Sequence, residues 1–451
     1  MLERSEGPTG PEGPAGPEGS VVLLGTGGDG GLPREGCPCA ACAAALGGRA
    51  RGATSVLVDG TLLLEAPPGV WGAAARAGRS LTGVRTLLTS RAAGAGRVPG
   101  LPDARALAAG AEEVLPGGHR VRAAALDRPA GEVGYEVTSP GGRRLLYLPP
   151  GAALAAPGGQ PCDLVLLDVL GRPDALAALR AAGTVTPATD VVAVHLGHEA
   201  PPWPEAGRRL AAAGARALPD GAEPGAAAQG RGVPVPRRTL VLGGARSGKS
   251  AEAERRLAAF PGVHYVATAG RRPGDAEWAA RVARHRARRP AHWTTAETCD
   301  LVPLLTAEGP PLLVDCLSLW LTDAMDAVGA WDDPAWEDPH APPGPHDPPG
   351  PDDAGPAGPA GPGTAGAGAG AGGGRGGARA ALAERTAALV AAFRGARRTV
   401  VAVSNEVGSG VVPATPAGRR FRDELGRLNA AVAAECDCVL LVTAGLAQRL
   451  R

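Results

Sequence analysis

The sequence is distinguished first by residue types that it nearly lacks. Among 451 residues there is no isoleucine, one lysine and two asparagines, and aromatic residues make up 3%. Glycine and proline number 69 and 45, and arginine supplies almost all of the positive charge. Such a bias is typical of GC-rich codon usage, and it weakens arguments from helix propensity. The residues that persist against it are therefore informative: Lys249, Asn405 and Asn429.

Several functional classes are excluded by what is missing. The formal net charge is only +1, so nothing in the overall charge favours nucleic acid as a partner. No apolar run reaches the roughly 18 residues that a membrane span needs. The first 20 residues are acidic and rich in Pro and Gly, unlike a signal peptide. We therefore expect a cytoplasmic protein.

The eight cysteines do not form the pattern of a disulfide framework. Cys37, Cys39 and Cys42 are clustered, which in a reducing compartment favours metal ligands over bridges. We interpret Cys436 and Cys438 as small residues that enter a buried strand. The remaining cysteines are isolated: Cys162, Cys299 and Cys316.

Composition divides the chain into two α/β domains with segments that cannot build a core. Residues 1–19 have a collagen-like period too short for a triple helix and are predicted to be a disordered tail. Short apolar runs separated by Gly/Pro turns predict a first domain at 20–218. A Gly/Ala/Glu/Pro stretch at 219–237 predicts a linker. The second domain covers 238–451, with a predicted disordered insertion at 331–377.

The second domain opens with a phosphate-binding motif. An apolar strand precedes it and a helical pattern follows, which is the context that the G-x-x-x-x-G-K-[ST] motif requires. Lys249 is predicted to reach the β- and γ-phosphates, and the Ser250 hydroxyl to bind Mg²⁺. A chain that uses Arg elsewhere has kept Lys where a planar guanidinium would not fit. The motif consists of Gly243, Gly244, Ala245, Arg246, Ser247, Gly248, Lys249 and Ser250.

Two further features accompany this motif. Residues 311–315 form an apolar strand that ends in Asp315, which is typical of a metal-linked carboxylate; the alternative is that Asp315 caps the next helix. Residues 281–293 contain five arginines and two histidines. This segment is either a solvated helix face or a triphosphate clamp, in which a neutral His is available as a nucleophile toward phosphorus.

Five segments taken together resemble the bifunctional adenosylcobinamide kinase / adenosylcobinamide-phosphate guanylyltransferase family. The resemblance covers about 238–451 apart from the insertion, and it implies a P-loop, RecA-like fold with a mostly parallel sheet and flanking helices. The segments occur in the family's order at 241–250, 264–268, 281–293, 404–413 and 419–429.

The resemblance implies two reactions. ATP or GTP phosphorylates adenosylcobinamide, and GMP then passes from GTP to adenosylcobinamide phosphate through a guanylyl-histidine. His285 stands at the position of that histidine, with His292 as the second choice. Mg²⁺ would be held by Ser250 and Asp315, and relatives are typically homotrimers. The other implied nucleotide contacts are Ala267, Thr268, Ala269, Arg286, Arg289 and Glu297.

The first domain resembles a metallo-β-lactamase-fold phosphodiesterase, on the segments 22–33 and 36–42, which implies αββα layers. After Leu87-Leu88-Thr89 that family carries His-x-His-x-Asp-His, whereas this chain reads Ser-Arg-Ala-Ala-Gly-Ala at 90–95. These side chains cannot hold a dinuclear centre. Asp168 and His195 remain at positions that resemble later ligands, so we expect a degenerate domain.

The same resemblance implies a structural zinc site. Its ligands would be Cys37, Cys39, Cys42 and His198, and the alternative is a metal-free loop with buried thiols. Two other functions remain open on the sequence. The second domain could be another P-loop small-molecule kinase without covalent guanylylation, or the first domain could be a metal hydrolase with the second as an accessory.

Overall fold

The computed structural model describes residues 19–91, 97–128, 131–225, 233–268, 283, 289–331 and 377–451. The predicted tail and insertion lie outside these residues apart from their ends. The first domain opens with a four-stranded sheet in the order β1-β2-β3-β4. Its strands are β1 (Val21–Gly25), β2 (Ser55–Val58), β3 (Leu62–Leu64) and β4 (Thr86–Leu88).

A six-stranded sheet follows in the order β10-β9-β8-β7-β6-β5. Strands β5 to β8 are joined in antiparallel pairs, whereas β8, β9 and β10 run parallel. The strands are β5 (Glu112–Val114), β6 (Arg120–Ala125), β7 (Val133–Thr138), β8 (Arg144–Tyr147), β9 (Leu164–Leu167) and β10 (Asp190–Ala193).

The two sheets pack face to face with helices outside them. Leu23 and Leu64 of the first sheet share one buried cluster with Tyr135 and Leu166 of the second. Alternate residues of each sheet face outward and are covered by helices, since successive strand residues point to opposite faces. These are the expected αββα layers. The helices are α1 (Ala40–Ala45), α2 (Val70–Arg76), α3 (Pro173–Ala181) and α4 (Glu205–Ala212).

The first part of the predicted linker packs on the first domain. The backbone N–H of Gly221 donates to the carbonyl of Leu23 at 2.6 Å, and that of Leu23 donates to the carbonyl of Ala222 at 2.9 Å. The Asp220 carboxylate accepts from the Thr26 hydroxyl at 2.8 Å and from the Gly52 N–H at 2.6 Å. Residues up to 225 therefore extend the edge of β1, and a connection of 226–237 remains.

The second domain is built on a seven-stranded sheet in the order β13-β12-β14-β15-β11-β16-β17. All neighbours are parallel except β16 and β17. Its elements are β11 (Arg238–Gly243), α5 (Lys249–Leu257), β12 (His264–Ala267), β13 (Thr294–Glu297), α6 (Leu301–Thr306), β14 (Leu312–Asp315), α7 (Leu317–Ala327), α8 (Gly377–Gly395), β15 (Val400–Asn405), α9 (Pro416–Ala434), β16 (Cys438–Thr443) and β17 (Leu446–Arg449).

Both faces of this sheet are covered, as is usual for parallel sheets. Val241, Tyr265 and Leu313 pack with α5 on one face, and α6 to α9 cover the other. The sheet is the expected mostly parallel P-loop type, in which β15 separates the motif strand β11 from β14. Cys436 and Cys438 are buried, as predicted. None of the helices described here is long and apolar enough to cross a membrane.

Two arginines of the first domain contact the second. Arg180 in α3 donates to the carbonyl of Ala259 at 2.8 Å, and its guanidinium lies 5.2 Å from the centre of the Phe260 ring. Arg208 in α4 donates to the carbonyl of Ala447 at 2.8 Å. Helices α4 and α5 also pack against each other. The first domain therefore lies against the helix that follows the phosphate motif.

Candidate functional site

The phosphate motif forms a tight turn between β11 and α5. A Cβ on Gly243 would lie 2.5 Å from the Ser247 hydroxyl and 2.6 Å from the Val442 carbonyl, so only glycine fits there. Gly248 has a φ of 98° and Arg246 a φ of 58°, which turns the backbone inward before the helix. These local conformations explain why the sequence places glycine at both ends of the loop.

The only lysine of the chain is buried beneath this turn. Lys249 begins α5, is 7% exposed, and its ammonium donates to the Gly244 carbonyl at 3.1 Å. The buried Ser247 hydroxyl has no hydrogen-bond partner among the described residues. Ser250 follows in the first helical turn, where backbone N–H groups and the helix dipole favour an anion. The turn has the donors and charge that a polyphosphate needs.

Asp315 lies at the carboxyl end of β14, on the same edge of the sheet as the phosphate turn. It pairs in register with Ala267 of β12 on one side and Val403 of β15 on the other. The Tyr265 hydroxyl donates to Asp315 Oδ2 at 2.6 Å. Helix α7 begins at Leu317, and Cys316 stands at its N-cap without a side-chain capping hydrogen bond.

A polar network beside Asp315 contains both asparagines of the chain. The Asn405 amide donates to the Ser318 hydroxyl at 2.8 Å, and the Asn429 amide donates to the Asn405 carbonyl at 2.9 Å. Ser318 Oγ also lies 2.9 Å from Cys316 Sγ. The sequence analysis missed Ser318, because its role depends on α7 starting next to β15. The scarcity of Asn was the signal that could have led to it.

Thr268 holds the backbone that follows Asp315. Its hydroxyl accepts from the Cys316 N–H at 2.8 Å and donates to the Cys316 carbonyl at 2.7 Å, and the residue is buried. Ala267 and Glu297 are register partners at the ends of β12 and β13. The predicted contact residues Ala267, Thr268 and Glu297 thus share the strand-end edge with Asp315, but the Thr268 side chain is engaged with the protein itself.

Of the basic segment 281–293, the structure describes residue 283 and residues 289–293. The Arg289 guanidinium lies over the Tyr265 ring, 3.2 Å from the ring centre, and donates to the Thr295 hydroxyl at 3.3 Å. His292 is exposed in the turn before β13. Ala269, His285 and Arg286, which the sequence analysis assigned to the nucleotide site, lie outside the described residues.

The predicted cysteine cluster is assembled in the first domain. The ligand atoms of Cys37, Cys39, Cys42 and His198 all lie within 4.8 Å of one another. Cys37 Sγ is 3.3 Å from His198 Nδ1. The hydrogen bond from the Cys42 N–H lowers the pKa of Cys39 to about 6, whereas burial raises the pKa of Cys42. Three thiols and one imidazole form a donor set suited to a tetrahedral metal such as zinc.

The side chains around this cluster also fit a metal site. His198 Nε2 lies 2.7 Å from Glu199 Oε1 and 3.1 Å from Arg34 Nη1, which leaves Nδ1 directed at the thiols. Metal-binding histidines commonly hold a carboxylate on their second nitrogen. The Arg34 N–H donates to Cys42 Sγ at 3.3 Å. The sequence analysis missed Glu199, although it directly follows the predicted ligand.

The place where the first domain would carry a hydrolytic centre is a cavity of about 810 Å³. His195 borders it, is 3.0 Å from the Leu148 carbonyl through Nε2, and has its pKa lowered to about 4 by burial. Asp168 does not line the cavity, and its carboxylate accepts from the Gly171 N–H. Within the described ranges, the cysteine cluster is the only His/Cys/Asp/Glu group with metal-binding spacing. The described residues around this cavity thus form no donor set for a dinuclear centre.

Comparison with known proteins identifies relatives of the second domain. A family model described as cobinamide kinase / cobinamide phosphate guanyltransferase matches residues 239–450. The bifunctional adenosylcobalamin biosynthesis protein CobP of Pseudomonas aeruginosa is 39% identical over 220 residues, which are 48% of this chain and 97% of that protein. The corresponding CobU proteins of Salmonella typhimurium and Escherichia coli are 34% and 32% identical over 216 residues, which are 47% of this chain and 98% of each.

Two solved structures resemble the first domain, both with TM-scores below 0.5. Zn²⁺-bound PqqB from Methylobacterium extorquens is 19% identical with a TM-score of 0.34, over 45% of this chain and 99% of that one. A diphosphatase from the PhnP family is 18% identical with a TM-score of 0.35, over 45% and 96%. The architecture of the first domain rests on its own αββα layers and not on these scores.

Proposed function

The chain belongs to the cobinamide kinase / cobinamide phosphate guanyltransferase family through residues 239–450, and we propose that it catalyses two successive steps of cobalamin biosynthesis. It phosphorylates adenosylcobinamide, then transfers GMP to adenosylcobinamide phosphate and so forms adenosylcobinamide-GDP. The observation that carries the proposal is the buried Lys249 in the phosphate turn, on the same sheet edge as Asp315. A P-loop and a strand-end carboxylate on one edge are the arrangement that phosphoryl transfer uses.

In the first step, a hydroxyl oxygen of adenosylcobinamide bonds to the γ-phosphorus of a nucleoside triphosphate. The bond between that phosphorus and the β,γ-bridging oxygen breaks, and the hydroxyl proton is released. Lys249 and the backbone N–H groups of 243–250 hold the polyphosphate and its developing charge. Ser250 and Asp315 supply the oxygen ligands that Mg²⁺ prefers, and bound Mg²⁺ would neutralise phosphate charge.

In the second step, a histidine nitrogen bonds to the α-phosphorus of GTP and pyrophosphate leaves. A phosphate oxygen of adenosylcobinamide phosphate then attacks the same phosphorus, and the nitrogen–phosphorus bond breaks. We assign this role to His285, with His292 as the alternative. Two displacements through a covalent intermediate avoid bringing two anionic substrates together in one step.

The decisive experiment is mass spectrometry of the protein after incubation with GTP and Mg²⁺. We expect a GMP adduct that maps to His285 and disappears in His285→Ala, whereas His292→Ala retains it. Adenosylcobinamide phosphate should discharge the adduct and yield adenosylcobinamide-GDP. Kinase turnover without any adduct would leave the alternative, a P-loop small-molecule kinase without covalent guanylylation. Parallel assays with ATP and GTP define the phosphate donor.

We also propose that Cys37, Cys39, Cys42 and His198 bind a structural zinc ion. The support is their clustering within 4.8 Å and the carboxylate of Glu199 on the second nitrogen of His198. Bonds of about 2.3 Å from zinc to sulfur place ligands at such separations. The ion would connect the start of α1 to the loop after β10 and stabilise the first domain without acting on substrate.

The family resemblance further suggests a homotrimer. Val411 and Val412, in the loop between β15 and α9, are 95% and 60% exposed, and neighbouring exposed apolar side chains can contribute to a contact between subunits. Light scattering of the purified full chain measures the mass directly. A mass of one chain at micromolar concentration would contradict the trimer.

A further inference from the structure

A buried tyrosine connects the two parts of the nucleotide site. Tyr265 lies in β12, is 2% exposed, and packs in the buried cluster beneath α5. In the parallel ladder it stands opposite Leu313, while Ala267 stands opposite Asp315. Its hydroxyl reaches past Leu313 to Asp315, two residues further along β14, and donates to Asp315 Oδ2 at 2.6 Å.

The direction of this hydrogen bond is fixed. A tyrosine hydroxyl has one proton to donate, and it lies 2.6 Å from Asp315 Oδ2. An ionised carboxylate can only accept. The bond therefore sets the rotation of the Asp315 carboxylate about its terminal torsion, which is otherwise broad.

The ring of the same tyrosine holds a different element. The Arg289 guanidinium lies 3.2 Å from its centre, a stacking geometry that favours a cation on an aromatic face. Arg289 also donates to the Thr295 hydroxyl in β13 at 3.3 Å. Among the described residues of 281–293, Arg289 is therefore held against β12 and β13 by these two contacts.

We propose that Tyr265 is a positioning residue for both reactions. Its hydroxyl orients Asp315 for phosphoryl transfer, and its ring holds the guanidinium of Arg289, an implied nucleotide contact, for guanylyl transfer. This inference rests on the proposed function. The two roles use different atoms of one side chain, so substitutions can separate them.

Tyr265→Phe removes the hydroxyl and keeps the ring. We expect its kinase turnover to fall about tenfold and its half-maximal Mg²⁺ concentration to rise, because groups that orient a metal ligand typically contribute 10- to 100-fold. The rate of GMP-adduct formation should stay within about twofold of wild type, since Arg289 still has its aromatic partner. Tyr265→Leu removes both contacts, and both rates should fall.

A matched control separates positioning from stability. The Tyr135 hydroxyl in the first domain donates to the Thr89 carbonyl at 2.7 Å and is likewise buried. The same hydroxyl accepts from the Leu107 N–H at 3.4 Å. Tyr135→Phe therefore loses at least as many hydrogen bonds as Tyr265→Phe, and it should leave both reactions and the Mg²⁺ dependence unchanged. The double variant Tyr265→Phe/Asp315→Asn should be no slower than Asp315→Asn alone, because Tyr265 acts through Asp315.

The outcomes distinguish this inference from the function on which it rests. If the wild-type chain forms both products and Tyr265→Phe has the same turnover and Mg²⁺ dependence, the inference is wrong and the proposed function stands. Equal losses in Tyr265→Phe and Tyr135→Phe overturn it too, because they indicate a stability effect. A wild-type chain that forms neither product overturns the proposed function together with this inference.

Discussion

The two domains share a plan but differ in what their strand ends carry. Each is a layered α/β domain with polar groups gathered at one edge of a sheet. In the second domain the phosphate turn, Lys249 and Asp315 lie at that edge. The first domain instead has a cavity bordered by His195, and the described residues around it form no metal-binding group. The cysteine cluster beside that cavity is nevertheless intact. The comparison teaches that layered α/β domains can carry quite different sets of polar groups on similar cores.

The strongest test of this difference compares the two polar centres directly. Lys249→Ala should lower kinase turnover at least about 100-fold, as loss of one preorganised charge donor does in other enzymes. His195→Ala should leave both reactions unchanged. Product formation from adenosylcobinamide, followed by chromatography, measures both variants. Metal-dependent phosphodiesterase turnover that disappears in His195→Ala would contradict the expectation that only the second domain is catalytic.

Metal removal should affect the first domain and spare the chemistry of the second. We expect about one zinc per chain by elemental analysis, and its loss in Cys39→Ser/Cys42→Ser. Without zinc the melting temperature of the first domain should fall by about 5–10 °C, since metal binding contributes to folding free energy. Cys162→Ser, a buried cysteine outside the cluster, is the control. Unchanged zinc content in the double variant would refute the assignment.

The buried His195 should give the first domain a characteristic pH dependence. Its pKa is lowered from 6.5 to about 4 by burial, so the unfolded chain binds the proton more tightly than the folded one. The stability from this group is present above pH 6.5 and is lost as pH falls toward 4. The expected loss in the free energy of unfolding is about 2–3 kcal/mol. The free energy of unfolding, measured in urea at pH 7 and pH 5, should fall less between these pH values in His195→Gln than in the wild type. Equal falls in both proteins would argue that His195 is not the cause of the pH dependence.

The smallest expected effect concerns the contact between the domains. Arg180→Ala removes two backbone hydrogen bonds and the stacking on Phe260, which together should cost about 2 kcal/mol. In calorimetry of the full chain, the unfolding transitions of the two domains should lie further apart in Arg180→Ala than in the wild type. Arg76→Ala, on the exposed side of α2, is the control and should leave them unchanged. Coincident transitions in Arg180→Ala would indicate that the domains are coupled by other contacts.

Local patterns predicted much of this protein because their causes are local. The strand, turn and helix around Lys249 follow from glycine conformations and one apolar run. In the first domain the short apolar runs predicted an α/β domain, and the αββα layers were implied by the family resemblance. The boundary between the first domain and the linker was less predictable. Residues 219–225 have the composition of a linker, yet Asp220 and Gly221 form hydrogen bonds with β1 and the residue that follows it. Thr268 was predicted as a nucleotide contact, but its hydroxyl binds the Cys316 backbone.

The amino-acid sequence by itself determined which groups are present: one lysine in a phosphate motif, three clustered cysteines, and no imidazole at 90–95. Tertiary structure decided which of them meet. The sheet order brings Tyr265 to Asp315 across 50 residues. The packing of two sheets brings His198, after β10, to Cys37, after β1, across 161 residues. Contacts of this kind depend on which strands become neighbours, and strand neighbours are selected by packing of the whole core rather than by any local pattern.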